Sequence, residues 1–98
     1  DLERLALEYL TLQRDAAVDL QLREMLDRRV VRLQGLVDLR AAQHRYEVLH
    51  GPLGDLTQLV SSGELLAFPD DPLGLGYELR EGRIELRKLK IAGLEEQP

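Results

Sequence analysis

The chain has 98 residues, 44% of them apolar and 32% charged, with a formal net charge of −5 and no cysteine. That length suits one domain with a modest core and excludes a deep enclosed pocket, and the balance is that of a folded chain. The acidic charge argues against a general nucleic-acid binder, which needs clustered cations, and the lack of cysteine excludes disulfides, thiolate metal sites and thiol catalysis.

The apolar share is mostly leucine, with one Phe and no Trp, which favours helices over a β-sandwich. No apolar run approaches the roughly 20 residues needed to cross a bilayer. The chain opens on Asp1 without an initiator Met, so an upstream signal peptide, membrane anchor or further domain is expected.

Leu2, Leu5, Tyr9 and Leu12 recur at helical spacing, widened by Ala6 and Leu10, and predict a first helix over about residues 2–13. Gln13-Arg14-Asp15 reads as the break, with Asp15 as the cap of the next helix; continuity through this point is the alternative. From there to Leu49 an apolar stripe runs through Leu22, Met25, Leu26, Val30, Leu33, Val37, Ala41, His44 and Val48, broadened by Val31, Leu39, Ala42, Tyr46 and Leu49. This predicts one long amphipathic helix of about 30 residues. Its remaining faces carry Arg23, Arg28, Arg29, Arg32 and Arg40 among Glu24, Asp27 and Asp38, a mixed-sign solvated surface. Gly35 costs about 1 kcal/mol relative to Ala in such a helix and marks a close crossing or a bend, with the crossing preferred.

Gly51-Pro52 ends the long helix. Asp55 stands three residues before Gln58, as in a capping box, and Leu56, Leu59 and Val60 give a short helix one apolar face. Gly63 terminates it in a left-handed conformation. Pro69, Pro72, Gly74 and Gly76 make an extended, turn-rich passage anchored to the core by Phe68. Tyr77–Arg80 and Arg83–Leu86 alternate cleanly about a two-residue turn at Glu81-Gly82. In that register Leu79 opposes Ile84 and Tyr77 opposes Leu86, all four on the face towards the long helix. Lys88–Pro98 reads as an irregular tail or a little more strand, frayed at its end.

From Tyr46 onward the order of residues forms a pattern: Tyr46-x-x-x-x-Gly51-Pro52, a short Leu-Val helix closed by Gly63, then Pro69-Asp70-Asp71-Pro72-x-Gly74-x-x-Tyr77 and a strand–Gly82–strand unit. It resembles the soluble domains of type II secretion pseudopilins and related pilin-like proteins. It is more similar still to a module at the C-terminal end of bacterial envelope proteins, some with tetratricopeptide repeats, in which the same corner follows paired helices. The resemblance covers about residues 44–87, and a pilin helix would carry an apolar stretch where residues 1–30 are amphipathic and charge-rich.

Each candidate for chemistry has a structural counterpart. The resemblance to pseudopilins implies calcium near the sheet, which makes Asp70 and Asp71 candidate ligands. Calcium takes six to eight oxygens, and only Glu78 or Glu81 offers further acidic company, so a turn role is preferred: Asp71 accepting backbone N–H groups, Pro72 fixing φ, and Gly74 and Gly76 allowing positive φ. Tyr77 brings its ring into the core and its hydroxyl to the edge. His44 and His50 are six apart and point in different directions on a helix, with no completing ligand set. His44 reads as a partly buried packing residue and His50 as a partner of the helix dipole. Ser61-Ser62-Gly63 lacks the strand–turn–helix elbow of a nucleophile, and Gly74-Leu75-Gly76 is too short for a phosphate cradle. The cations Arg28, Arg29 and Arg32 are interspersed with acids and read as a solvated face.

The expectation is an α+β, mostly helical domain: an N-terminal helical hairpin with one long helix, a short third helix and a two-stranded antiparallel hairpin. Neither catalytic residues nor a cofactor is expected. The function expected is a protein-interaction or scaffold role, with protein partners that include self-association through the long helix and with neither nucleic acid nor membrane contacted by this segment. The resemblance implies a bacterial cell-envelope or helical-repeat protein, periplasmic or envelope-associated; the soluble domain of a pilin- or pseudopilin-like filament subunit is the alternative.

Overall fold

A computed structural model describes residues 2–88. The expected tail from Lys88 to Pro98 lies, beyond Lys88 itself, outside them. The elements in chain order are α1 (Leu2–Ala16), α2 (Leu20–His50), α3 (Thr57–Ser61), β1 (Tyr77–Arg80) and β2 (Arg83–Leu86). The fold is therefore α+β and mostly helical, a helical hairpin with a short helix and a β-hairpin docked on its longer arm. At 1.5 Å per residue, the 31 residues of α2 span about 46 Å, which matches the 46 Å longest dimension of the molecule.

The first helix runs through the break expected at Gln13-Arg14-Asp15 and stops at Ala16. Asp19, not Asp15, caps α2: its carboxylate accepts the Gln21 N–H at 3.1 Å while its own backbone is extended. Asp15 is engaged instead by the neighbouring Arg14 guanidinium at 3.1 Å. The two helices run antiparallel, with Arg14 pairing to Asp27 at one end (2.9 Å) and Glu3 to Arg40 at the other.

The core is built on the middle of α2. Leu33, Leu36, Leu39 and Ala42 meet Leu53, Leu59, Tyr77 and Ile84, with Leu7, Leu10, Tyr46, Leu79 and Leu86 packed around them. Leu39, Leu59 and Ile84 are fully enclosed. The hairpin has the expected register, Tyr77 opposite Leu86 and Leu79 opposite Ile84. Its turn holds both central residues at positive φ, 51° at Glu81 and 79° at Gly82, as a two-residue turn matched to the strand twist requires. Gly63 closes α3 with φ of 88°, and Gln58 reaches back to the Asp55 N–H at 3.1 Å, half of the expected capping box. The other half differs, because the Asp55 carboxylate accepts from Thr57 at 2.9 Å.

Several expected core positions face water. On α2, His44, Val48 and Leu49 are exposed, because neither α1 nor the hairpin extends over the last turns of that helix. Phe68 does not anchor the turn-rich passage in the core. It remains 38% exposed and lies edge-on to the Tyr77 ring at 6.1 Å, while Tyr77 enters the core as expected.

Candidate interaction surface and the Asp71 corner

Two places carry the polar residues that sequence patterning singled out. The first is the corner before β1. Pro72 follows Asp71 in a turn closed by the Gly74 N–H on the Asp71 carbonyl at 2.9 Å. The Asp71 carboxylate then accepts the N–H groups of Leu73 (2.9 Å), Leu75 (3.0 Å) and Gly76 (2.7 Å). It also pairs with the Arg32 guanidinium at 2.9 Å, and the two side chains are only 3% and 12% exposed. Gly76 holds a φ of 87°, which turns its N–H towards the carboxylate at little steric cost. Burial alone would raise the Asp71 pKa, but the Gly76 and Leu73 N–H groups and the Arg32 charge together bring it below the ordinary carboxylate value.

This occupancy assigns Asp71 a structural task. All its partners are donors within the chain, and Glu78 turns away to Arg80 and Arg87. Asp70 is exposed beside it. Among the described residues, no group of three or more His, Asp or Glu side chains is gathered as a metal would need.

The second is the seam between α2 and the hairpin, where three side chains from α2 donate to main-chain carbonyls. Arg32 reaches Gly76 at 3.4 Å and Arg87, Arg40 reaches Ile84 at 2.9 Å, and Gln43 reaches Gly82 at 2.8 Å. These residues fall at 32, 40 and 43, the helical spacing of Leu36 and Leu39 between them, so a polar line and an apolar line share one face of α2. Arg32 and Arg40 were expected on a solvated face. They are drawn in because a two-stranded sheet leaves edge carbonyls that the covering helix must satisfy. Arg40 also joins Glu3 of α1 and Glu85 of β2, and its guanidinium holds the Glu3 carboxyl below its usual pKa. The groove above it, about 520 Å³ and lined in part by Glu3, Arg40, Arg83 and Glu85, holds charges that pair with one another.

Tyr77 completes the seam. Its hydroxyl donates to the Arg32 carbonyl at 2.9 Å, and its ring lies over Gly35, where a Cβ would overlap the hydroxyl and come within 3.0 Å of Cζ. The close approach expected at Gly35 is therefore made by a strand tyrosine and not by a crossing helix. Burial, and then the Asp71 charge, push the phenol pKa up.

Apolar side chains are left in water at Leu20, Val31, Val48 and Leu49 of α2 and, in a row, on the outside of α1. Leu7 and Leu10 turn inwards with Glu3 and Arg14, whereas Leu2, Leu5, Tyr9 and Leu12 are 81%, 60%, 63% and 69% exposed. The stripe expected to be core is thus the solvent face, displaced by roughly 150° from the face that packs on α2. Periodicity could not separate the two, since both lines are apolar and helical in spacing. No helix among the described residues is long and apolar enough to cross a membrane. No family model, curated protein or solved structure matches the chain.

Proposed function

We propose that this chain is a non-enzymatic protein-interaction or scaffold domain whose contact surface is the outward face of α1. The observation that carries this reading is the line Leu2, Leu5, Tyr9 and Leu12, four large apolar side chains left in water by a helix that already packs through its other side. These exposed parts come to about 500 Å², within the range of the largest apolar patch on a monomer, which is often functional. Supporting it, Glu3, Arg40, Arg83 and Glu85 in the groove beside the hairpin pair with one another and the buried Asp71 carboxylate is saturated by internal donors, so their chemistry is spent on the fold. The resemblance of residues 44–87 adds the setting, a bacterial cell-envelope or helical-repeat protein, and keeps a pilin-like filament subunit as the alternative.

The test compares partner capture by the wild type and by a Leu5→Glu/Leu12→Glu variant of equal helicity and melting temperature. Partners held by the wild type and lost by the variant are expected. Capture of the same partners by both would contradict the assignment of this face.

A further inference from the structure

The large apolar side chains exposed on α1 fall at regular intervals, with Ala6 beside them. Leu2, Leu5, Tyr9, Leu12 and Ala16 are separated by three, four, three and four residues, the a and d spacing of a two-stranded coiled-coil seam. Leu2, Tyr9 and Ala16 occupy a, while Leu5 and Leu12 occupy d. Such a line presents itself to one other helix, unlike the wider stripe by which a helix beds into a globular core. The partnering helix α2 lies on the far side of α1, reached through Leu7 and Leu10, so among the described residues the seam side chains Leu2, Leu5, Tyr9 and Leu12 stay exposed.

We infer that the seam is covered by the same seam of a second copy, the two α1 helices lying parallel. This deepens the interaction reading above and rests on it. The flanks of the seam decide the orientation. The positions preceding a are Glu8 and Asp15, both acidic, while those following d are Ala6 and Gln13, both uncharged. In a parallel pair each acidic flank meets the neutral flank of the other copy, Glu8 against Gln13. In an antiparallel pair like flanks meet, which sets Glu8 against Glu8 at a cost in repulsion.

The area suffices for a weak dimer. Two such seams with their flanking atoms would bury about 1,200 Å² in all, the lower edge of specific interfaces. A free helix of two heptads would be too short to pair, but α1 is already ordered by α2, which removes most of the ordering cost. A contact at this lower edge belongs with weak, transient interfaces, so dimerisation is expected only at micromolar concentrations and above.

Sedimentation equilibrium between roughly 1 and 500 μM brackets such an affinity. The wild type is expected to pass from one chain to two, and Leu5→Glu/Leu12→Glu to remain one chain at every concentration. Leu66→Glu, at a fully exposed leucine outside the seam, is expected to dimerise as the wild type does. Should the double Glu variant fail to fold, Leu5→Ala/Leu12→Ala, which keeps helix propensity, is expected to weaken the dimer at least tenfold. A wild type that stays a single chain throughout, or a dimer indifferent to both seam variants, would overturn self-pairing. A single chain whose partner capture still depends on Leu5 and Leu12 would overturn only the second copy, leaving the interaction surface in place.

Discussion

Asp71 and Gly35 each fix the hairpin to α2, one by charge and one by the absence of a side chain. Asp71 binds three N–H groups and a buried guanidinium. Removing it in Asp71→Ala is expected to cost about 3 kcal/mol by denaturant unfolding at pH 7, because Arg32 is left buried without its counter-charge. Its folded pKa is lowered, so its contribution is complete above the unfolded value of about 4 and drains as pH falls towards the folded value. Wild-type stability should therefore decline below about pH 4 more steeply than that of Asp71→Ala; equal slopes would count against the role given to this carboxylate. At Gly35 the intrinsic gain of about 1 kcal/mol from Ala in a helix opposes the displacement of an enclosed tyrosine. Gly35→Ala is expected to lose about 1–3 kcal/mol net, and adding Tyr77→Phe, which removes the overlapping hydroxyl, should recover part of it. A Gly35→Ala protein more stable than wild type would show that the ring moves aside freely.

Among the elements, α2 and the hairpin were largely legible in the sequence and the helical hairpin's start was not. The period-two alternation of Tyr77–Arg80 and Arg83–Leu86 admits one register about Glu81-Gly82, and that register is observed. The long helix announced itself by length and by Gly51-Pro52. Which of its polar residues turn inwards was hidden, because Arg32, Arg40 and Gln43 owe their places to carbonyls that exist only once the sheet has docked. The site was less legible still: α1 carries two apolar lines, and only the tertiary contact with α2 selects Leu7 and Leu10 over Leu5 and Leu12. The break between the helices moved for a local reason, since Asp15 is held by Arg14 and the next competent cap is Asp19. Asp19→Ala is accordingly expected to lower stability by about 1 kcal/mol and Asp15→Ala by no more than about half of that. Thermal melts of the two variants would show the reverse order if Asp15 were the cap.

For the whole molecule, the fold divides α1 between two tasks. Its inner side closes the core through Leu7 and Leu10, and its outer side keeps a heptad seam in water. Stability and association should then separate by mutation, with Leu5 and Leu12 governing the second alone. The most direct test uses the absence of native cysteine, which makes an introduced thiol the only one present. In a parallel pair the two Leu5 positions share a layer, within the Cα spacing of about 6 Å that a disulfide spans. Leu5→Cys under mild oxidation is expected to form a covalent dimer nearly completely, and Leu66→Cys, exposed but off the seam, to form little. Crosslinking of Leu5→Cys no faster than that of Leu66→Cys would contradict the parallel α1 pairing.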